Sequence, residues 1–170
     1  MATIPFVTCD LLDDNPEKAI QTLIPSMDGR FFQSYGARKT FAGQIVTVKC
    51  YEDNSRVKEL LATDGTGKVL VVDGGASMRC ALMGDMIAES AVKNHWNGVV
   101  IYGCVRDVDV IAELDLGVHA LASIPQKSNR KGIGEVGVSL YFGSVTFNSG
   151  DYLYADNNGI VVAKEKLVDL

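Results

Sequence analysis

Small and apolar residues recur with helical spacing after Gly84, which predicts a helix with one core-facing side. That side carries Ile87, Ala88, Ala91, Val92 and His95. Gly98 is a typical C-terminal cap, and the β-branched run over 99–102 predicts a buried strand. The run over 68–73 predicts a second buried strand. With the helix as their crossover, the two strands are expected to lie parallel and to be joined by a right-handed connection.

Before residue 68 the pattern predicts two helices and one strand. The segment from Cys9 to Leu23 is predicted to begin with an acidic turn and to start the first helix at Asn15-Pro16, where proline takes the first helical position. The stretch from Met27 to Phe41 has no regular period and predicts irregular structure. Alternation over 43–51 predicts a strand, and the residues from Asp53 to Ser55 are typical of a helix cap.

After residue 107 the chain is predicted to be rich in strands. A short helix over 108–114 is expected to end at Gly117, and a strand over 119–124 leads into a basic loop over 126–134 that is most simply solvated. Further strands are predicted at 136–142, 145–147, 152–155 and 160–163, with a hairpin turn over 156–159. Helices mixed through a β-rich chain indicate an α/β fold with mixed sheets.

The residues with candidate chemistry lie where the two parallel strands lead, at the edge where open α/β sheets usually bind ligands. Gly84 and Asp85 open the helix, whose free N–H groups suit a carboxylate or phosphate. Arg106 can hold a carboxylate through two hydrogen bonds, and Asp85 and Asp107 offer the oxygen ligands that magnesium or manganese prefers. The alternative is an N-cap at Asp85 and a surface ion pair or turn at Arg106-Asp107, and spacing alone favours it.

Composition limits the class of protein. At 170 residues the chain suits a single domain, and a net charge of −5 argues against nucleic acid as a direct partner. No apolar run approaches the roughly 20 residues that span a bilayer, so no membrane partner is expected. The N-terminal residues lack the basic start and apolar core of a signal peptide, so a cytoplasmic location is expected.

The cysteines and histidines suggest structural roles. Cys9, Cys50, Cys80 and Cys104 are widely spread without a Cys-x-x-Cys pair, so all four are expected to be reduced and structural. His119 has the residue type of a general base, but a lone histidine in an apolar strand is more often structural, and the same applies to His95.

Six segments in this order make the chain resemble a known family. They are Gly43-Gln-Ile-Val-Thr-Val-Lys-Cys50, Asp53-Asn-Ser55, Val69-Leu-Val-Val-Asp-Gly-Gly75, Gly84-Asp85, Ile101-Tyr-Gly-Cys-Val-Arg-Asp107 and Tyr154-Ala-Asp-Asn157. The family holds the regulator of ribonuclease activity A and the class II 4-hydroxy-4-methyl-2-oxoglutarate aldolases. The resemblance runs from about Thr8 to the C-terminus. It implies an α-β-β-α sandwich of the swivelling-domain type, assembled as a homotrimer.

The resemblance also implies roles for individual residues. Asp85 and Arg106-Asp107 match the aldolase pattern of an Asp, twenty residues and an Arg-Asp pair. The amides of Gly84, Asp85, Met86 and Ile87, together with Arg106, would bind the carboxylate of a 2-keto acid substrate. Asp107 would bind a divalent metal (Mg2+ or Mn2+), and Asp85 would orient a metal-bound water.

The implied activity is cleavage of 4-hydroxy-4-methyl-2-oxoglutarate to pyruvate through a pyruvate enolate, with oxaloacetate decarboxylation as a side activity. No Schiff base is expected, because Lys93 is the only lysine of the site stretch and the helical pattern directs it outward. One position departs from the aldolase pattern: an acid is expected three residues after Asp107, where this chain has Val110.

Two other functions remain open at this point. The first is a regulator that binds ribonuclease E or RNA helicases, for which an acidic surface is compatible with the net charge of −5. The second is a trimeric scaffold without activity. The presence of Asp85, Arg106 and Asp107 favours the enzyme.

Overall fold

The computed structural model describes residues 6–26 and 28–169. The helices are α1 (Thr8–Asp13), α2 (Ser55–Leu61), α3 (Asp85–Lys93) and α4 (Val108–Ile111). The strands are β1 (Gln21–Thr22), β2 (Gln33–Ser34), β3 (Phe41–Lys49), β4 (Lys68–Asp73), β5 (Ala81–Met83), β6 (Gly98–Val105), β7 (Gly117–Ser123), β8 (Glu135–Val136), β9 (Leu140–Phe142), β10 (Val145–Phe147), β11 (Tyr152–Asp156) and β12 (Gly159–Ala163).

Ten of these strands form one mixed sheet. Its main path runs β1-β12-β11-β3-β4-β6-β7-β2, with β5 paired to β6 and β8 paired to β3. The central strands β3, β4, β6 and β7 are parallel, as the sequence predicts for β4 and β6. The strands on the other side, β11, β12 and β1, are antiparallel to their neighbours. The predicted hairpin is confirmed, with Asp156 opposite Gly159.

Alternation along β3 shows how the layers are built. Phe41 and Ile45 point into an inner core that also receives side chains from β4, β6, β11, β12 and the β9–β10 hairpin. Val48 points the other way, into a core shared with α2, α3 and α4. Ala42 lies in a third cluster, with Leu11 of α1. The two halves of the sheet therefore share an inner core and carry helices outside, which is the predicted mixed α/β sandwich.

The N-terminal helix lies earlier than predicted. α1 ends at Asp13, and Asn15-Pro16 follows it instead of opening it. The Asn15 side-chain amide donates to the carbonyl of Leu11 at 2.9 Å, which satisfies one of the free carbonyls at the helix end. Proline has no N–H to continue a helix, so the same dipeptide that can start a helix stops this one. The first residue of the predicted irregular stretch, Met27, lies outside the described residues.

The end of α3 also differs from the prediction. The helix stops at Lys93, and His95 takes the left-handed conformation, with φ 68°. The amide of Trp96 donates to the carbonyl of Ala91, and the amide of His95 donates to Val92, which is a Schellman motif. His95 is therefore exposed rather than core-facing.

Gly98 is the first residue of β6, not a helix cap. A Cβ at Gly98 would lie 2.3 Å from the ring of Phe41, so its glycine reflects close packing. Among the described residues, no helix is long and apolar enough to cross a membrane.

Candidate active site

The site lies where two neighbouring parallel strands end. β5 leads into Gly84 and α3, and β6 leads into Arg106, Asp107 and α4. The amide of Arg106 donates to the carbonyl of Met83 at 3.0 Å, which continues the ladder one residue past the end of β6. The two segments that the sequence places 22 positions apart are thereby held side by side.

Asp107 has an unusual backbone conformation. Its φ of 53° and ψ of 41° are left-handed, a region that Asp and Asn tolerate better than most residues. In this conformation its carbonyl accepts the amides of Val110 and Ile111 at the start of α4. Its carboxylate turns back toward α3, where Oδ2 accepts the amide of Asp85 at 3.1 Å.

Gly84 is required by the close approach of this carboxylate. A Cβ at Gly84 would lie 2.5 Å from Asp107 Oδ2 and 3.2 Å from Arg106 Nε. Asp107 Oδ2 itself lies 3.7 Å from Arg106 Nε. Any side chain at Gly84 would separate the helix start from the Arg-Asp pair, so glycine is needed here for space rather than for backbone freedom.

The start of α3 presents both amides and carboxylates. The N-cap residue is Gly84, so the alternative role of Asp85 as the cap does not occur. The Asp85 carboxylate accepts the amide of Met86 at 2.7 Å instead. The amides of Asp85 and Met86 are thus paired with carboxylates of the chain itself. Met86 is exposed, whereas Ile87 is buried in the core that Val48 shares with α2, α3 and α4.

A small cavity adjoins these residues. Its enclosed volume is about 40 Å³. Its lining includes all five residues predicted to bind substrate: Gly84, Asp85, Met86, Ile87 and Arg106. The other lining residues were not predicted; they are Asn54, Ala81, Lys127, Ser128 and Arg130. Asp107 lies beside the cavity, in contact with Gly84 and Asp85.

The basic loop over 126–134 crosses the site, which corrects its interpretation as a simply solvated loop. The carbonyl of Gln126 accepts the amide of Ala81 at 2.8 Å, and the carbonyl of Asn129 accepts the amide of Asn54 at 3.1 Å. The carbonyl of Pro125, just before the loop, accepts Arg106 Nη1 at 3.4 Å. Ser128 is buried, whereas the side chains of Lys127 and Arg130 are exposed.

One buried carboxylate anchors this loop. Asp53 is 2% exposed, and its Oδ1 accepts the amide of Ser55 at 2.9 Å. Its Oδ2 accepts the amide of Lys131 at 2.7 Å. Burial raises the pKa of Asp53, but the hydrogen bonds from Ser55, Lys131 and Ile133 more than offset it and leave the pKa below its usual range. The ionised carboxylate therefore ties the loop to the start of α2.

A signal for this loop was present in the sequence. The strand at 119–124 is β7, a parallel neighbour of β6, so the segment after it must leave at the same edge of the sheet as Arg106.

The loop also bears on the Schiff base prediction. Lys93 is exposed at the end of α3, and the stretch over 84–107 has no other lysine, but Lys127 from the loop also lines the cavity. The absence of a Schiff base therefore stays a prediction.

The donor set fits a hard divalent cation with few protein ligands. The junction offers the carboxylate of Asp107 and that of Asp85, whose backbone amide donates to Asp107 Oδ2, whereas a group of three or more His, Cys, Asp or Glu suited to a metal is absent from residues 6–26 and 28–169. Mg2+ usually keeps several waters and takes one or two protein carboxylates, with substrate oxygens completing its shell. Val110, at the position of the acid in the aldolase pattern, is partly exposed on α4 and contributes no carboxylate.

The remaining thiols and the buried histidine lie in structural positions. Cys50, Cys80 and Cys104 are buried and free, and Cys9 is exposed and free. Burial raises the pKa of Cys50 to about 12, so it stays a neutral thiol. His119 is buried on β7, where its ring packs edge-on against Phe41.

The fold and the site together define a class of protein: a mixed α/β sandwich with an Asp, Arg and Asp joined at the ends of two parallel strands. Within that class, the chain belongs to the RraA-like family. The family model, described as Aldolase/RraA, matches residues 8–162.

Similar proteins carry different names. A protein of Acinetobacter baylyi, 82% identical over 167 residues that cover 98% of both chains, is provisionally named a 4-hydroxy-4-methyl-2-oxoglutarate aldolase. A crystal structure from Geobacillus kaustophilus, described as an S-adenosylmethionine:2-dimethylmenaquinone methyltransferase, is 42% identical, with a TM-score of 0.89 over 95% of this chain and 97% of that one. The RNA-processing inhibitor RraA from Thermus thermophilis is 39% identical, with a TM-score of 0.86 over 95% and 94% of the two chains.

Proposed function

We propose that this protein is a divalent-metal-dependent lyase that cleaves 4-hydroxy-4-methyl-2-oxoglutarate into two molecules of pyruvate. The observation that carries the proposal is the junction of Asp85, Arg106 and Asp107 beside a small cavity. The aldolase name of the Acinetobacter baylyi relative supports it.

The reaction breaks the bond between C3 and C4 of the substrate. The C4 hydroxyl loses its proton and becomes the keto group of one pyruvate, while the electron pair of the broken bond forms the enolate of the other. That enolate then takes a proton at C3. Loss of CO2 from oxaloacetate gives the same enolate, so we expect decarboxylation as a side activity.

The chain's own residues bind and orient the keto acid. In this proposal Arg106 would grip the C1 carboxylate, and the amides at the start of α3 would be a second set of donors once the substrate replaces their present carboxylate partners. Asp107 would hold Mg2+ or Mn2+, and Asp85 would orient a water of that ion. When bound, the ion supplies a Lewis acid that stabilises negative charge on the keto oxygen. Arg106 fixes the substrate's orientation against that charge.

The test is pyruvate release from 4-hydroxy-4-methyl-2-oxoglutarate and from oxaloacetate, with Mg2+ and with a chelator. Asp107→Asn and Arg106→Lys are compared with Glu113→Gln, which changes an exposed carboxylate beyond α4. We expect Mg2+-dependent turnover of both substrates by the wild type and by Glu113→Gln, and loss of about a hundredfold or more in the site variants. No turnover by the metal-loaded wild type would eliminate the proposal.

A second candidate function is regulation of RNA decay by binding ribonuclease E or an associated RNA helicase. The observation that favours it is the similarity to the RNA-processing inhibitor of Thermus thermophilis. The two functions need not share a surface. Inhibition of ribonuclease E by both the wild type and Asp107→Asn would place regulation outside the candidate site, and no inhibition by either would remove this candidate.

We further propose that the chain acts as a cytoplasmic homotrimer, on the resemblance to the family. Light scattering on the purified protein measures the assembly directly. A mass of one or two chains under conditions of full activity would overturn the trimer.

A further inference from the structure

The two ends of the ten-stranded sheet meet at a second, larger cavity. Its wall includes Thr22 of β1 and Ile160 of β12, which belong to one end of the sheet path. It also includes Ser34 of β2 and His119 of β7, which belong to the other end. The sheet therefore curls until its first and last strands face the same space, here called the edge cavity. Its volume is about 370 Å³, within the roughly 300–1,000 Å³ of small-molecule sites.

The edge cavity is separate from the candidate active site. His119 lies opposite Val100 in the register of β7 with β6, and Arg106 follows Val100 six residues later. At about 3.3 Å for each strand residue, His119 and Arg106 are about 20 Å apart. Among the described residues, none lines both cavities. A ligand in the edge cavity would therefore not occupy the place of a substrate.

The wall of the edge cavity contains a buried imidazole nitrogen without a partner. His119 is 6% exposed, and of the residues that the structure describes none bonds its Nε2. The ring is held in place by Phe41, against which it packs edge-on at a centroid distance of 5.4 Å. A buried polar atom left unpaired is unfavourable, and such atoms in folded proteins usually meet a partner. Because His119 lines the edge cavity, its partner is expected to enter from there.

The charge in the lining favours an uncharged ligand. Asp156 is the one carboxylate there among the described residues, and its oxygens are already used. Its Oδ2 accepts the amide of Thr8 at 2.8 Å, and its Oδ1 accepts the Thr8 hydroxyl at 2.7 Å and the amide of Asn158 at 2.8 Å. Burial raises the pKa of Asp156, but the hydrogen bonds from Thr8 and Asn158 more than offset it, so the carboxylate is ionised. Its charge disfavours an anion, and its existing bonds leave little for a cation.

The remaining wall is largely apolar. Its apolar side chains are Leu23, Pro25, Phe32 and Ile160. Leu23 and Ile160 belong to the inner core, and the half-buried ring of Phe32 stacks against Phe142 at a centroid distance of 6.0 Å. A ligand with an apolar body suits this wall. A hydroxyl group suits His119, because it can both donate and accept and so complements either tautomer of a neutral imidazole.

We propose that the edge cavity binds an uncharged, mainly apolar alcohol or phenol, whose hydroxyl pairs with His119 Nε2 and whose body lies against Leu23, Phe32 and Ile160. The site is additional to the proposed lyase function and does not rest on it.

Amide NMR of the full-length protein tests the site with p-cresol as the probe. p-Xylene replaces the hydroxyl of p-cresol by a methyl group, and p-toluate replaces it by a carboxylate. We expect p-cresol to shift the amides of His119 and Ile160 in a saturable way and to leave that of Arg106 unchanged. Its affinity should exceed that of p-xylene by about fivefold and that of p-toluate by about tenfold. No saturable shift at His119 and Ile160, or equal affinities of p-cresol and p-xylene, would overturn the proposal.

A variant that fills the edge cavity tests where the probe binds. Ser34→Trp is expected to weaken p-cresol binding by about tenfold, because Ser34 lines the cavity from the exposed strand β2, where an aromatic residue is tolerated. Gln33→Trp is the matched control, since Gln33 is exposed on the same strand but does not line the cavity. Equal p-cresol binding by the two variants would place the probe elsewhere and overturn the site.

A variant without the imidazole tests the hydroxyl contact. His119→Leu should bind p-xylene as the wild type does but lose the preference for p-cresol over p-xylene. A merely structural role of His119 would weaken the binding of both probes together. A preference retained in His119→Leu would contradict the contact with Nε2. If this variant does not fold, the comparison of Ser34→Trp with Gln33→Trp still decides whether the site exists.

Discussion

Asp107 Oδ2 accepts the backbone amide of Asp85 at 3.1 Å, a bond that links the ends of two parallel strands across 22 positions of the chain. The same carboxylate is the candidate metal ligand. Asp107 therefore has a structural role, which needs an acceptor oxygen and a left-handed backbone, and a proposed chemical role, which needs negative charge. Different substitutions separate the two.

Asp107→Asn is predicted to keep the fold and lose the metal. Asparagine retains an acceptor for the Asp85 amide and tolerates a φ of 53°, but it has no charge. Asp107→Ala also loses the hydrogen bond from the Asp85 amide and the tolerance of a left-handed backbone. It should be less stable than Asp107→Asn by about 1–2 kcal/mol. Thermal unfolding measures the stability difference, and titration with Mg2+ measures the loss of affinity in both. Equal stability of the two variants would contradict the structural role.

Gly84→Ala is predicted to disrupt the site with little effect on the rest of the fold. The new Cβ would lie 2.5 Å from Asp107 Oδ2, so the carboxylate has to move. The rate of pyruvate release should fall by about tenfold or more, because misplacing a catalytic group by about 1 Å can slow a reaction at least that much. Gly103→Ala is the control, since a Cβ there would make ordinary contacts of 3.4 Å and more. Full activity in Gly84→Ala would show that the close approach is dispensable.

Asp53→Ala is predicted to release the loop over 126–134. The change leaves the amides of Ser55 and Lys131 without their acceptor and should destabilise the protein by about 1–3 kcal/mol. Hydrogen exchange at the Lys131 amide should accelerate. Asp64→Ala is the matched control, because Asp64 accepts the amide of Thr66 in a similar turn, on the exposed surface. An unchanged exchange rate at Lys131 in Asp53→Ala would mean that other bonds hold the loop.

Local sequence was enough to predict the centre of the sheet and half of the site. β3, β4 and β6 are short runs rich in apolar and β-branched residues. Such runs predict strands from local sequence alone. Asp85 and Arg106 were found because parallel strands place their carboxyl ends at one edge.

The misplaced elements depended on distant contacts. Asn15-Pro16 is compatible with either end of a helix, and packing of Leu11 into the third cluster, with Ala42, decides for the end. His95 rather than Gly98 closes α3, and Gly98 instead packs against Phe41, a partner far away in the sequence. Asn54 joins the site through a loop more than 70 positions away, which no local pattern contains.

The thiols give a direct test of burial. In the native protein only Cys9 among the four cysteines is exposed, and burial raises the pKa values of Cys50, Cys80 and Cys104. Ellman's reagent is predicted to titrate one thiol in the native protein and four after unfolding, because the thiolate is the reactive form. Cys9→Ser should remove the native reaction. Fast reaction of a second native thiol would show that one of the buried cysteines is accessible.

His119 lies in surroundings that disfavour its charged form. It is 6% exposed, its ring lies 5.4 Å from that of Phe41, and no partner of its Nε2 is present in the described ranges. Burial, with a smaller effect of Lys39, lowers the pKa of His119 to about 4, while Asp156 opposes the shift weakly. The histidine is therefore neutral in the folded protein over the whole range in which it would take up a proton in the unfolded chain.

The stability of the protein is predicted to fall as pH decreases from about 6.5 to about 4. Below 6.5 the unfolded chain binds a proton at His119 that the folded protein does not, so acid favours unfolding; the full effect is about 3 kcal/mol. Urea unfolding at a series of pH values measures it. His119→Asn should flatten the dependence between pH 6.5 and 5, where few carboxylates titrate. The control is His95→Asn, which changes the chain's other histidine. His95 is exposed, and asparagine tolerates its left-handed backbone, so this variant should keep the slope of the wild type. The same slope in both variants would mean that the buried imidazole accepts a proton without unfolding.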